Sequence, residues 1–276
     1  MNIVFITGAA DGIGLECALA FAREGYSIAA TDINEAGLVR AKTMISALGV
    51  DCRTYQLDVS NEEQFILVAN EVIAQMGCPN VVINNAGIGF HAGFEATTPE
   101  MWRKTYDINV FGVVSGCRAF LQPMKDSDQS CVLVNVSSLS SKSPMPNLTA
   151  YVSSKYAVEG FTESLAIELA GSNVSTLCVH PAVINTAIVK NTGMIGSDIT
   201  AEQLERLQNY YVNHGAHPSV VANDIVRAVV RGQQVLYTGP NGKVTNLISR
   251  LLPKTTYRRL LRKLSVIVGY GKEVQQ

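Results

Sequence analysis

Charge is scarce in this sequence. Lys, Arg, Asp and Glu make up 16% of the 276 residues, against roughly 25% in an average soluble domain. The 22 basic and 23 acidic side chains nearly cancel, leaving a net charge of -1. That excludes a globally basic nucleic-acid binder. Proline is also sparse, at 9 residues beside 22 glycines, so the composition is neither disordered nor collagen-like. The six cysteines (Cys17, Cys52, Cys78, Cys117, Cys131 and Cys178) are widely spaced and form no CxxC pair. Neither a zinc site nor a redox dithiol is therefore expected. The four histidines form no HExxH-type cluster, and no metal is expected. No apolar run reaches the length of a membrane-spanning helix. The opening Met1–Ile6 is apolar but has no basic region before it and no cleavage site after it. It reads as a first strand rather than a signal peptide, and a reducing cytoplasmic setting is expected.

What is present is an alternation. Apolar strand-like runs occur at 3–6, 27–31, 52–57, 80–84, 131–136, 174–180 and 234–237. Between them lie helical patterns at 12–23, 35–48, 61–76, 99–125, 151–170 and 219–231. Strands that are apolar throughout, separated by helices, predict an α/β fold: a doubly wound parallel sheet of about seven strands, covered on both faces. Ser60 before Glu62 and Glu63, and Thr98 before Pro99, look like helix starts. No repeat or linker interrupts residues 1–242, which read as one domain.

Thr7-Gly8-Ala9-Ala10-Asp11-Gly12-Ile13-Gly14 follows the first strand and opens a helix. Glycines there permit a tight turn and let a pyrophosphate approach backbone N–H groups at the positive helix end. Asp32 ends the second strand, 18 residues after Gly14. A carboxylate at that place accepts hydrogen bonds from ribose hydroxyls and repels a 2′-phosphate. With Ile33 next and no basic residue in the loop, NAD(H) is expected over NADP(H); a helix-capping role for Asp32 is the alternative. Asn84-Asn85-Ala86-Gly87 ends the fourth strand, at the carboxyl edge where such sheets bind ligands. Tyr151 and Lys155 stand four apart on one helix face. A tyrosine pKa near 10 makes a poor base, and a neighbouring ammonium favours the phenolate. Lowering that pKa by about three units takes roughly 4 kcal/mol.

These motifs, with Asp58, Asn109, Ser138 and His180-Pro181, occur in an order and at spacings that resemble the short-chain dehydrogenases/reductases with the TGxxxGxG loop. The resemblance covers residues 1–240. It implies a Rossmann fold, NAD(H) as cofactor, and an oxidoreductase that moves hydride between the cofactor and a secondary alcohol or ketone. It implies Tyr151 as general acid/base, Lys155 as the group that lowers its pKa and binds the nicotinamide ribose, and Ser138 as donor to the substrate oxygen. Asn109 resembles the asparagine that holds a water in a proton relay through Lys155. Gly8, Asp11, Gly12, Ile13 and Gly14 would hold the pyrophosphate. Asp58 and Val59 would border the adenine, and Asn85, Ala86 and Gly87 would also bind the cofactor. Pro181, Val183 and Thr186 would touch the nicotinamide amide, with Ala182 in place of the family's glycine. Ser137 is the alternative to Ser138. The resemblance also implies a homodimer or homotetramer, joined through the helices at 99–125 and 151–170. A dinucleotide-binding regulator or scaffold without catalysis is the competing reading. A sugar-nucleotide epimerase is disfavoured, because its TGxxGxxG loop and second lobe are missing.

Residues 187–216 read as a substrate lid. Tyr210, Tyr211, Phe90 and Phe94 suggest a lipophilic small-molecule substrate. The near-zero net charge hides an asymmetry. Residues 1–242 hold 14 Lys/Arg against 22 Asp/Glu, a net of -8, and residues 243–276 hold 8 against 1, a net of +7. Within this basic extension Leu247, Ile248, Leu251 and Leu252 precede Pro253. Tyr257, Leu260, Leu261, Leu264, Ile267 and Val268 then keep helical spacing, with Arg258, Arg259, Arg262 and Lys263 between them. Three readings stay open for residues 247–268: peripheral membrane contact, packing on the domain, or a contact between subunits.

Overall fold

The structure is a computed structural model that describes residues 2–186 and 195–270. Seven parallel strands form one sheet in the order β3-β2-β1-β4-β5-β6-β7. They are β1 (Ile3–Thr7), β2 (Ser27–Asp32), β3 (Cys52–Gln56), β4 (Val81–Asn84), β5 (Cys131–Val136), β6 (Val174–Pro181) and β7 (Val235–Thr238). On one face Val4, Ile6, Ile28, Ala30, Ile83, Val134 and Leu177 pack with helices α1 (Gly12–Arg23), α2 (Glu35–Ser46) and a later helix at Pro218–Val230. The opposite face carries Phe5, Ala29, Val82 and Leu133. It packs against α3 (Glu62–Met76), α5 (Gly112–Asp126) and α6 (Thr149–Glu168). Alternate residues of each strand therefore enter opposite cores, which is why the strands read as apolar throughout.

The helix starts are set by small polar caps. Asp11, Asn34 and Asn61 each accept a bond from a first-turn N–H, satisfying donors the helix leaves open. The cap of α3 is thus Asn61 rather than Ser60. Ser60 instead bonds Asp58 through its N–H and its hydroxyl, at 3.0 and 2.6 Å. The helix expected at 99–125 is not one regular element. Helix α4 (Pro99–Tyr106) passes through a π-helical turn at Asp107–Phe111 before α5 begins. Gly112 N–H reaches Asp107 O, five residues back. The turn takes in one extra residue, a single skip too brief for an apolar period to resolve.

Beyond β6 come α7 (Ala201–His214), closed by a capping box between Thr200 and Gln203, α8 (Pro218–Val230), β7, α9 (Gly242–Leu251) and α10 (Lys254–Val268). Part of the expected lid, Thr192-Gly193-Met194 included, lies outside the described residues. Ile195 bridges to His91, and Asp198 accepts a bond from Gly93 N–H at 2.8 Å. Among the described residues no helix is long and apolar enough to cross a membrane. The chain leaves β1 toward β2 and leaves the adjacent β4 toward β5, on the other side, so the connections diverge from neighbouring carboxyl ends and open a crevice there.

Candidate active site

The crevice is built by two loops tied together. Thr7 Oγ1 accepts bonds from Asn85 N–H and Ala86 N–H, both at 3.0 Å. Asn85 Nδ2 donates back to Thr7 O at 2.9 Å and Gly8 O at 3.3 Å. Gly8 and Gly12 sit at φ of 67 and 58°, where a side chain would be strained. Gly14 is excluded from bearing one for another reason: its Cβ would lie 2.0 Å from Gly8 O. The result is a bare backbone cradle at the start of α1. Gly8, Asp11, Gly12, Ile13, Asp32, Asn85, Ala86, Gly87 and Thr186 line one cleft. Asp32 belongs to this lining, with Oδ2 accepting from Ala10 N–H at 3.0 Å and Oδ1 from Asn34 N–H at 2.9 Å. These bonds fix the orientation of the carboxylate. An unobstructed glycine cradle with a fixed carboxylate in its lining fits a dinucleotide.

Gly14, Asp58, Val59 and Asn109 do not line this cleft. Val59 is buried against Gly112, where a Cβ would come within 2.9 Å of it. Asn109 lies in the π-turn, fully buried. Its Oδ1 accepts from Ile88 N–H at 2.8 Å, and its Nδ2 donates to Ile88 O at 2.9 Å and to Ser154 Oγ at 3.0 Å. The side chain is thus committed to the loop after β4 and has little left for a water.

The cleft continues into a cavity that Ser138, Tyr151 and Lys155 enter together. Lys155 is buried, and Nζ donates to Val136 O at 2.9 Å while standing 5.7 Å from the centre of the Tyr151 ring. Burial pushes its ammonium down to about 8. The Tyr151 phenol is pushed above its ordinary value by burial, with Ser138 opposing that rise. Ser138 Oγ accepts from Ser140 N–H at 3.1 Å, which leaves its own proton to donate. Ser137 is different: its hydroxyl donates to Lys155 O at 2.8 Å and ties α6 to β5. His180 braces the same turn, its Nδ1 lying 3.2 Å from Ser141 Oγ and 3.3 Å from Ser138 O, its ring stacked on Tyr237.

Pro181 and Val183 also line the cavity. Ala182 does not strain the turn: its backbone is outside the left-handed region, and its N–H donates to Thr238 O at 2.9 Å. The family's glycine is therefore not required by φ here. Phe90 and Phe94 are absent from the cavity wall. Phe90 is buried, and Phe94 is 68% exposed with its edge against Trp102. Residues not singled out from the sequence take that place, His91, Met145, Leu148 and Tyr270, together with Val268 of the amphipathic extension. Of the three readings left open for the extension, packing on the domain is realised. Tyr257, Leu261, Ser265 and Val268 are the buried face of α10.

The family model for short chain dehydrogenases matches residues 2–194. The chain is a short-chain dehydrogenase/reductase. It is 38% identical to "Probable oxidoreductase EphD" of Mycobacterium tuberculosis over 257 residues, 92% of this chain and 43% of that protein. The chain thus spans about two fifths of the length of the EphD relatives. It is 30% identical to human estradiol 17-beta-dehydrogenase 11 over 281 residues, 99% of this chain and 88% of that one. A short-chain dehydrogenase/reductase from Burkholderia phymatum, solved with NAD, superposes with a TM-score of 0.80 at 24% identity, covering 100% of this chain and 98% of that one. The similarity of fold extends to the C-terminal helices, and the sheet is the NAD(P)-binding Rossmann sheet of the family.

Proposed function

We propose that this short-chain dehydrogenase/reductase is an NAD(H)-dependent oxidoreductase acting on a secondary alcohol or its ketone. The observation that carries this reading is the meeting of Ser138, Tyr151 and Lys155 in one cavity, continuous with a glycine cradle that Asp32 also lines. When bound, the nicotinamide supplies the hydride acceptor or donor and, oxidised, a positive charge. Gly8, Asp11, Gly12, Ile13 and Gly14 present the cradle and α1 N-terminus to its pyrophosphate. Asp32 takes the adenosine ribose and Asn85, Ala86, Gly87, Pro181, Val183 and Thr186 flank the nicotinamide half. Asp58 and Val59, outside the lining of the cleft, are assigned to the adenine by the family resemblance alone.

Ser138 donates to the substrate oxygen where negative charge develops. Tyr151 takes the alcohol proton in oxidation and returns it in reduction. Its burial works against that task, since desolvation disfavours the phenolate. Lys155 offsets this while protonated, and its charge fades as pH rises past about 8. Asn109 holds the loop against which Lys155 packs: a Cβ on Gly87 would lie 3.2 Å from Asn109 Oδ1 and 3.5 Å from Lys155 Nζ. With its side chain so engaged, only its main chain remains for the relay water.

The test is Tyr151→Phe against a panel of secondary alcohols and ketones from small to sterol-sized, with NAD(H) and NADP(H). We expect turnover to fall by at least about 100-fold, while the Kd for NADH stays within about threefold of wild type, a change under 1 kcal/mol. A variant that keeps most of its rate overturns the assignment. A wild type that binds NADH and turns over nothing favours the regulator reading.

The lining of the cavity supports a lipophilic substrate. Two further features support partners. Phe111, Tyr156 and Ile167 are exposed on the helices the family resemblance assigns to subunit contact, and we infer a homodimer or homotetramer there. The exposed side of α9 and α10 supports contact with an anionic membrane surface.

A further inference from the structure

The cavity in front of Tyr151 holds a polar feature that the alcohol chemistry leaves unused. Much of its wall is apolar, from Leu139, Met145, Leu148 and Val268. Into it reach Tyr211 from α7 and Tyr270 from the segment after α10, with their hydroxyls 2.9 Å apart. Burial pushes Tyr211 up to about 12 and Tyr270 well above its ordinary value. Tyr151 adds to the rise in both, so the three phenols feel one another in a shared space.

Tyr270 is held in place by contacts of its own. Asn147 Nδ2 donates to its carbonyl at 2.6 Å. Its ring stacks on His91 with centres 5.8 Å apart and planes 10° from parallel. Just before it, Gly269 turns at φ of 93°, so close to α7 that a Cβ would lie 2.9 Å from Leu207 N. Two bonded hydroxyls consume one of their two O–H protons. Among the described residues the second proton meets no protein acceptor. A buried donor without a partner is costly, and a ligand oxygen that accepts from it is favoured over a ligand with carbon there.

We propose that the Tyr211–Tyr270 hydroxyl pair is a second substrate anchor. It selects lipophilic alcohols and ketones that carry another oxygen, hydroxyl or carbonyl, away from the reacting carbon. The C-terminal helix is then part of the substrate site, delivering Val268 and Tyr270 to its wall. This rests on Tyr151 and Ser138 holding the reacting oxygen.

The experiment compares secondary aliphatic alcohols with their terminally hydroxylated counterparts over a series of chain lengths. It uses the full chain with NAD+ for turnover and, by calorimetry with NADH present, for binding. At a matching chain length the hydroxylated member has a Kd and KM lower by about tenfold. Tyr211→Phe and Tyr270→Phe, which keep both rings, each bring the ratio of the two members' Kd and KM, taken within the variant, to about one. Equal weakening of both members means a strap that only supports the fold, and overturns the proposal. So does the absence of any preference in wild type. If turnover is nil throughout, or survives in Tyr151→Phe, the acid/base reading fails by itself, and the binding comparison still decides the anchor.

Discussion

Asp32 illustrates how much a single carboxylate decides. Two backbone N–H groups orient it, Ala10 on one oxygen and Asn34 on the other, and it lines the dinucleotide cleft. A 2′-phosphate brought there meets a fixed like charge, and Ile33 beside it is 62% exposed and offers no cation. Like-charge juxtaposition in a recognition site costs several kcal/mol. Asp32→Ser is therefore expected to raise the ratio of NADP(H) to NAD(H) efficiency by at least about tenfold, read from kcat/KM for both cofactors. An unchanged ratio, or an NADP(H) preference already present in wild type, removes the role given to Asp32. At this scale the sequence was informative wherever chemistry is local. The glycine loop, Asp32 and the Tyr151–Lys155 pair are legible because strand, turn and helix periodicity place them without reference to the rest of the chain. Asp58 is legible by position only; its contact with Ser60 is not. His91 and Tyr270 were illegible for the opposite reason. They meet as a stacked pair across 179 residues of chain, and no spacing rule connects them. Phe90 and Phe94 misled because aromatic content beside a strand end says nothing about whether a ring turns to core, cavity or solvent.

The helices repeat the lesson at the next scale. Helix α6 buries Ser154, Lys155, Val158, Thr162 and Leu165 along one face. Tyr156 and Ile167 lie on the other, 46 and 78% exposed, and Phe111 of the neighbouring π-turn is 57% exposed. Apolar side chains on the outer faces of adjacent helices lose contact with water if those helices meet a second copy. Ile167→Glu combined with Phe111→Glu is expected to convert the oligomer to monomer, as read by light scattering at fixed concentration. Burying a charge in such a contact without a partner costs well over the margin that holds a modest interface together. A wild type that is itself monomeric, or a variant whose mass is unchanged, removes this interface. The elements themselves were largely readable, since seven strands and the helices between them follow from run length and period. The π-turn was not, because a single extra residue is too brief a skip for an apolar period to resolve. The fate of the C-terminal helix was only half readable: its amphipathic spacing was plain, but not which surface its apolar face would meet.

For the whole molecule, the uneven charge acquires a geometry once that helix is placed. Its buried face belongs to the domain and to the cavity wall, so the remaining surface is what faces outward. Lys243, Arg250, Lys254, Arg258, Arg259, Arg262 and Lys263 are all exposed, and no acidic residue stands among residues 243–270. Between these cations Val244, Leu247 and Leu251 of α9, and Leu260, Leu264 and Ile267 of α10, are exposed as well. The spacing of each trio puts it in one stripe. An apolar stripe flanked by cations matches the boundary of an anionic bilayer, where each Lys or Arg contributes about 1 kcal/mol and buried apolar area adds to it. Truncating the chain at Gly242 would be a poor test, because it also removes Val268 and Tyr270 from the cavity. Substitution of the outward stripe alone, Leu264→Glu with Ile267→Glu, spares the buried face. We expect wild type to sediment with phosphatidylserine-containing vesicles and not with pure phosphatidylcholine, to be released by raised salt, and to lose this binding in the double variant with NADH affinity intact. Equal sedimentation of wild type and variant, or indifference to lipid charge, would falsify the membrane assignment. If the variant instead changes only the oligomeric mass, the stripe belongs between subunits, and the acidic body with its basic edge is an arrangement for self-association.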